Sequence, residues 1–148
     1  MDAIDRRILE ALAADGRVTL QDLAARVHLG ASATRERLRR LEGTVIDGYV
    51  AQADPAALGF PIDALVEVDL PAGGDMEAFE AALRATPAVV EALHATGDHD
   101  YVLRLRCANT DELHTTVRGL KARHGAVRTH TRVVLDQTLG RRQRLPPA

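Results

Sequence analysis

The chain has 148 residues, of which 46% are hydrophobic, and a formal net charge of −2. This length and composition allow one ordinary domain or two small ones with a real core, and they exclude a disordered tail. No apolar run approaches the ~20 residues of a membrane helix, and the charged start "MDAIDRRILE" has no signal-peptide core. The single cysteine, Cys107, excludes an internal disulfide and the usual zinc frameworks. We therefore expect a cytoplasmic protein that has no membrane attachment.

Residues 2–43 show helical periodicity in three successive segments. Asp2, with Asp5 three residues later, resembles a capping box, and the helix that it opens ends near Gly16. Thr19 is predicted to cap a second helix, and the third helix, "ASATRERLRRLE", follows the turn "HLG". Short helices in this order predict a winged-helix-like helix-turn-helix unit over residues 1–48.

The third helix has the features of a DNA-groove reader. Its periodicity turns Thr34, Leu38 and Leu41 inward. Residues 26–40 hold five arginines and a single acid, a local basic patch that predicts double-stranded DNA as a partner. A solvated face of a structural helix is the alternative. We expect the outward residues near the helix start to meet base edges and the flanking arginines to meet phosphates: Ser32, Ala33, Glu36 and Arg37 for the bases, and Arg35, Arg39 and Arg40 for the phosphates.

The rest of the chain mixes strands with helices. Residues 45–53 alternate loosely like a strand, and Pro55, Gly59 and Pro61 indicate a domain boundary in a linker over residues 49–61. Residues 62–136 follow the order βαββαβ, with strands at 62–70, 89–96, 101–107 and 126–135 and helices at 75–86 and 109–125. This repeated strand-helix-strand unit predicts a ferredoxin-like sandwich. The expected fold class is α+β, with a C-terminal tail at 137–148.

Several segments, in this order and spacing, resemble the Lrp/AsnC (leucine-responsive regulator and asparagine-regulator) transcription factors. "DAIDRRILEALAADGR" and "LQDLAARVHLGASATRERLRRLE" are similar to the family's opening helix and helix-turn-helix. "VIDGYVA" is similar to its strand before the linker, and "GDHDYVLRLR" to its Gly-Asp-x-Asp-aromatic signature. The resemblance implies a DNA-binding regulator that responds to an amino acid or related small molecule. It also implies a homodimer formed through the ferredoxin-like sheets, which in this family often assembles into octamers.

The resemblance further implies which residues bind the effector. They are the matching positions of the signature and two hydroxyl residues of the last strand: Gly97, Asp98, Asp100, Tyr101, Thr129 and Thr131. A glycine permits a positive φ and the close approach of a ligand, and a carboxylate can receive an α-ammonium group. His99 stands at the variable position and receives no role. The chain departs from the family pattern at Gly30, where an N-cap serine is usual, at Ala33, where a polar residue is common, and in "LEGTVI", which is slightly short.

Other interpretations of the same residues remain open. The Asp98–Asp100 segment could form a metal or acid-base site, but no partner motif accompanies it, and a plain hairpin turn also favours aspartate. Sirohaem decarboxylases resemble this family yet are enzymes, and the side chains that could surround a tetrapyrrole are His94, Arg104, Arg106 and His130. An architectural DNA-binding protein that senses no ligand is the third alternative. We predict no catalytic residue, no metal and no cofactor.

Overall fold

The computed structural model describes residues 1–137, which divide into two compact units, residues 1–52 and 53–137. Each unit has its own hydrophobic core. Among the described helices, none is both long and apolar enough to cross a membrane. The predicted tail after residue 137, including the arginines of "RRQR", lies outside the described residues.

The first unit consists of three helices: α1 (Ala3–Ala14), α2 (Leu20–Val27) and α3 (Ala31–Glu42). Asp2 Oδ1 accepts hydrogen bonds from the amides of Ile4 and Asp5 at 2.9 Å, and Asp5 Oδ2 accepts from the amide of Asp2 at 3.2 Å. The predicted capping box is therefore confirmed. Thr19 caps α2, because its hydroxyl accepts from the amide of Asp22 at 3.1 Å. These side chains satisfy amides that have no partner within their own helix.

The inward face of α3 agrees with its sequence periodicity. Thr34 and Leu41 are buried, and Leu38 packs half-buried against the same core. Gly30, at the N-cap, has no side chain that could accept from the first amides of α3. The hydroxyl of Thr34 instead donates to the carbonyl of Gly30 at 3.1 Å. Thr34 thus contacts the N-cap residue of α3, but no side chain caps the first amides of this helix.

Residues 45–53, which the sequence predicts to be a strand, do not form one. The amides of Val45 and Ile46 both donate to the carbonyl of Leu41 at 2.8 Å, so this segment first closes the end of α3. No strand within residues 1–137 pairs with the segment that follows. A strand requires a neighbour for its backbone donors and acceptors. Within residues 1–137 this segment has no such neighbour, so it is not a strand in the single chain.

The second unit is an antiparallel sheet with two helices: β1 (Ile62–Asp69), α4 (Met76–Arg84), β2 (Val89–His94), β3 (Tyr101–Cys107), α5 (Thr110–His124) and β4 (Arg128–Val133). The four strands lie in the order β2-β3-β1-β4. This topology confirms the predicted ferredoxin-like βαββαβ fold. Asp75 and Asn109 cap the two helices, and Gly125 ends α5 with a φ of +79°, a conformation that favours glycine.

Strand alternation gives the sheet two different faces. The helix-covered face carries the core, with Ala64, Val66 and Val68 from β1 and Tyr101, Leu103, Leu105 and Cys107 from β3. Their spacing of two along each strand places them on one face. The opposite face, called here the open face, presents charged residues at the alternate positions: Asp63, Glu67, Asp69, Arg104, Arg106, Arg128, His130 and Arg132.

Candidate nucleic-acid interface and ligand-binding turn

One exposed stripe of α3, called here the α3 stripe, consists of Ser32, Arg35, Glu36 and Arg39. The spacing of three and four residues places them along one side of the helix. Within residues 1–137, the guanidinium groups of Arg35 and Arg39 form no hydrogen bond or ion pair. Ala33 is also exposed at the helix start. The stripe therefore offers two unneutralised cations that can meet phosphate oxygens.

The sequence predicts that Arg37 points outward to the DNA bases, but its guanidinium group is bound to α1. Its Nη1 donates to Asp2 Oδ2 at 2.6 Å and to Asp5 Oδ1 at 2.8 Å. Arg40 Nη2 donates to Asp5 Oδ1 at 3.0 Å and to Asp5 Oδ2 at 2.8 Å. These four residues are called here the α1–α3 ion cluster. Because Arg37 follows Thr34 by three residues, it borders the buried stripe of α3 and reaches α1. The spacing of Thr34, Arg37, Leu38 and Leu41 is the signal that could have placed it there.

The α1–α3 ion cluster shifts the pKa of both carboxyl groups downward. The hydrogen bond from the amide of Asp5, together with Arg37, holds the pKa of Asp2 at about 2, against an ordinary value of 3.8. Burial alone would raise the pKa of Asp5, but the hydrogen bonds from Arg37 and the Asp2 amide and the charge of Arg40 bring it below the ordinary value. Both aspartates are therefore ionised at neutral pH and pair with cations of α3.

The "GDHDY" turn that joins β2 to β3 is fastened to the end of β1 by Asp100. Its Oδ2 accepts from the amide of Leu70 at 2.7 Å, and its own amide donates to the carbonyl of Val68 at 3.1 Å. Gly97 has a φ of +136°, a conformation that other residues rarely adopt. Asp98 is exposed. Asp100 is therefore a structural clamp of this turn, and Asp98 is the carboxylate that faces solvent.

Tyr101 directs its ring away from the turn and toward α4. The side chain is buried, its hydroxyl donates to Glu80 Oε1 at 3.1 Å, and its ring centroid lies 5.2 Å from that of Phe79 and 4.9 Å from that of His94. Burial, reinforced by the hydrogen bond to Glu80, raises the pKa of Tyr101. The tyrosine is thus neutral at physiological pH and forms one wall of a cleft between α4 and β2.

Thr129 and Thr131 share one face of β4, the helix-covered face. They lie opposite Val68 and Val66 of β1 in the register, and both are half-buried. Tyr101 also pairs with Val68, but from the other side of β1. Within one chain, the predicted effector residues therefore fall into three places: the turn, the cleft beside α4 and the β4 edge of the sheet. Their joint role as an effector site stays a prediction.

His99, to which sequence reasoning gave no role, links the turn to the open face. Its Nδ1 lies 2.8 Å from Asp69 Oδ1 and its Nε2 lies 3.3 Å from Glu67 Oε2. Glu67 also accepts from Arg132 at 2.7 and 3.1 Å, and Asp69 accepts from Arg128. The hydrogen bond from His99, followed by that from Arg128, lowers the pKa of Asp69. The alternating charges of β1 and β4 were visible in the sequence, but their register was not.

The side chains considered for a tetrapyrrole do not converge. His94 stacks on Tyr101 at the helix-covered face, whereas Arg104 and Arg106 pair with Asp63 on the open face, at 2.7 and 3.0 Å. His130 lies 3.4 Å from Glu67, on the far side of β1 from β3. The opposite faces of one sheet cannot enclose a single macrocycle. Within one chain, these four side chains therefore do not form a single tetrapyrrole site.

The three-helix unit presents a cationic, solvent-facing third helix, and the sheet unit follows it in the same chain. Together they define a helix-turn-helix DNA-binding protein with a second, α+β unit. The family model of the AsnC-type helix-turn-helix domain matches residues 1–42, and that of the Lrp/AsnC ligand binding domain matches residues 63–143. The chain belongs to the Lrp/AsnC family of transcriptional regulators. It is a DNA-binding regulator, not an enzyme.

Individual relatives agree with this assignment over nearly the whole chain. The HTH-type transcriptional regulator FL11 of Pyrococcus furiosus is 35% identical over 136 residues, which cover 91% of this chain and 89% of the relative. The feast or famine regulatory protein of Mycobacterium tuberculosis, solved with L-methionine, is 33% identical with a TM-score of 0.89, covering 98% of this chain and 99% of that one. A Neisseria meningitidis transcriptional regulator, also solved with L-methionine, is 28% identical with a TM-score of 0.92, covering 99% and 96%.

Proposed function

We propose that the protein controls transcription by binding operator DNA through the α3 stripe. We also propose that an amino acid bound by the second unit changes its DNA affinity or its assembly. The observation that carries the DNA part is the pair of unneutralised arginines, Arg35 and Arg39, one helical turn apart on an exposed face. The ligand part is supported by the two similar structures that contain L-methionine. A regulator of this kind acts in the cytoplasm, where it meets the chromosome.

The residues of α3 divide by position along the helix. Ser32, Ala33 and Glu36 lie near the N-terminus, the part of a recognition helix that meets base edges in the major groove. Arg35 and Arg39 suit phosphates on the flanks, because a guanidinium can pair with two phosphate oxygens at once. Arg40 is 60% exposed and can exchange Asp5 for a phosphate. Arg37 is better assigned to positioning, because its guanidinium is bound to α1.

The DNA interface is tested by Arg35→Ala and Arg39→Ala in the full chain, with mixed-sequence duplex DNA over a range of salt concentrations. Each substitution is expected to weaken binding and to reduce the slope of log K against log salt by about 0.9, the contribution of one phosphate contact. Arg118→Ala is the matched control, since Arg118 is exposed on α5 in the other unit. Unchanged salt slopes in both α3 variants would exclude this face as the DNA-binding surface.

The ligand part is tested by thermal-shift screening of the pure protein against the twenty amino acids. A ligand at ~100 times its dissociation constant stabilises the folded protein by about 2.7 kcal/mol, which is readily measured. If none of the twenty amino acids raises the melting temperature, the ligand part of the proposal is contradicted. That result would leave an architectural DNA-binding role for the same α3 stripe.

The regulatory mechanism that we propose requires more than one copy of the chain. In a closed homodimer or larger ring, two recognition helices engage half-sites about one helical turn of DNA apart. An amino acid that binds one arrangement better shifts the population toward it, and a coupling of about 1–3 kcal/mol is enough for a response. Light scattering with and without the ligand measures the change in assembly. DNA-binding titrations under the same two conditions measure the change in DNA affinity. The ligand must change at least one of them.

A further inference from the structure

Glu36 is the acidic member of the α3 stripe, where it is exposed between Arg35 and Arg39. Its carboxylate forms no hydrogen bond or ion pair within residues 1–137. The other acidic side chains of residues 1–42 each have a partner: Asp2, Asp5, Glu10, Asp15, Asp22 and Glu42. Among the acids of this segment, Glu36 is therefore the one that is free to meet another molecule.

The α1–α3 ion cluster explains why Glu36 has no partner. A glutamate commonly pairs with an arginine four residues further along the same helix. Arg40 stands at that position, but its Nη2 donates to Asp5 Oδ1 at 3.0 Å and to Asp5 Oδ2 at 2.8 Å. Asp5 is buried, and its carboxylate attracts the arginine more strongly than a carboxylate in water does, because the local dielectric is lower. Asp5 thus takes the cation that the helix spacing would give to Glu36.

An unpaired carboxylate on the α3 stripe restricts which group of DNA can bind it. A carboxylate only accepts hydrogen bonds, and phosphates repel it. On the major-groove edges of the bases, only cytosine N4 and adenine N6 carry donor hydrogens, whereas guanine and thymine present acceptors. Adenine also has the acceptor N7 beside N6, which opposes the second carboxylate oxygen, and cytosine has no acceptor on this edge. Cytosine is therefore the base that suits Glu36.

We infer that Glu36 determines base specificity by accepting a hydrogen bond from the N4 amino group of a cytosine in the major groove. This role rests on the proposed function, because the α3 stripe must face DNA for Glu36 to reach a base. Arg35 and Arg39 keep their contacts with phosphates, and their charges offset that of Glu36 as the helix approaches the DNA. Asp5 supports this role from α1, since it keeps Arg40 away from Glu36.

The test selects bound duplexes from a random-sequence DNA library with the full chain and sequences them. The unchanged protein is expected to enrich a C·G pair at one position. Glu36→Gln is expected to change that pair to A·T, because glutamine pairs with N6 and N7 of adenine, and Glu36→Ala is expected to accept any pair there. Glu42→Gln is the matched control, since it removes the same charge from an exposed residue of α3 that is bound to Tyr49 at 3.0 Å. Its selected sequence is expected to stay the same.

A chemically modified duplex then tests the atom of the base. The cytosine of the selected sequence is replaced by 2-pyrimidinone, which has no N4 amino group. The unchanged protein is expected to bind this duplex about fivefold more weakly, the lower end of what one base contact contributes. Glu36→Ala is expected to show no difference between the two duplexes beyond that of Glu36→Gln controls on unselected DNA.

Each contrary result overturns a different statement. If Glu36→Gln and Glu36→Ala select the same sequence as the unchanged protein, Glu36 reads no base, while the proposed DNA binding stands. If the two variants change the preference at a pair other than C·G, or if 2-pyrimidinone binds as well as cytosine, the assignment to cytosine N4 is wrong. If the unchanged protein binds DNA without enriching any sequence, the specificity role fails. If it binds no duplex at all, the DNA part of the proposed function fails with it.

Discussion

Asp5→Asn is the most direct test of the α1–α3 ion cluster. The Asp5 side chain is 2% exposed and accepts hydrogen bonds from Arg37, from Arg40 and from the amide of Asp2. Asparagine keeps the shape but removes the charge. Arg37 retains its 2.6 Å contact with Asp2, and Arg40, already 60% exposed, returns to water.

The expected loss follows from these contacts. A hydrogen bond to a charged group contributes about 1.5–3 kcal/mol, and removing one partner of a fully buried ion pair costs about 3–5 kcal/mol. Both arginines keep access to water or to Asp2, so the loss should be smaller than that of a fully buried ion pair. We therefore expect Asp5→Asn to lower the free energy of unfolding by about 2–3 kcal/mol, the range of a hydrogen bond to a charged group. For a unit of this size, each kcal/mol lowers the melting temperature by roughly 4–8 °C.

The assay is thermal and urea unfolding followed by circular dichroism and, in a Tyr101→Phe background, by the fluorescence of Tyr49 in the first unit. Glu10→Gln is the matched control, because it also neutralises a carboxylate of α1 but in an exposed pair with Arg6; we expect a change within about 0.5 kcal/mol. Equal, small effects of Asp5→Asn and Glu10→Gln would refute the view that the cluster holds α1 to α3. If the cluster does stabilise the first unit, Arg37→Ala also reduces the fraction of folded protein. Its DNA affinity must therefore be compared with that of the unchanged protein at equal folded fraction.

Three further substitutions or conditions give separate expectations. Because the pKa of Asp2 is depressed to about 2, its stabilising effect is present above pH 4 and is lost as the pH falls from about 4 to about 2. In Asp2→Asn, the part of the stability that depends on pH in this window should be absent from an acid titration followed by circular dichroism. Gly97→Ala should lower the free energy of unfolding by about 1–3 kcal/mol, because Gly97 has a φ of +136°. Gly48→Ala, where φ is not positive, should lower it less in the same urea titration. Asp100→Ala should destabilise the second unit by about 1–3 kcal/mol, since it orphans a backbone amide, and exposed Asp98→Ala should not.

The parts of the fold that the sequence predicts correctly depend on local information. Thr34, Leu38 and Leu41 share a helical stripe, and Tyr101, Leu103, Leu105 and Cys107 alternate along a strand, so burial follows from spacing alone. Caps are equally local, as the Asp2–Asp5 pair illustrates, because acceptor and amides lie within four residues. The order of these elements then leaves few topologies open.

The missed features depend on pairings that spacing does not encode. Arg37 meets Asp2 across 35 positions of the chain, and His99 meets Asp69 across 30. Residues 45–53 alternate like a strand, but only a neighbouring strand could have made them one. The register that brings Glu67 opposite His130 likewise depends on how β1 and β4 align, and a shift by one residue would exchange the faces.

The signature turn gains a physical role from these long-range contacts. Asp100 fastens it to the end of β1, His99 reaches the carboxylates of the open face, and Tyr101 reaches Glu80 on α4. Three consecutive side chains thus connect the turn to three different surfaces of the second unit. Any displacement of this turn must therefore change at least one of these contacts.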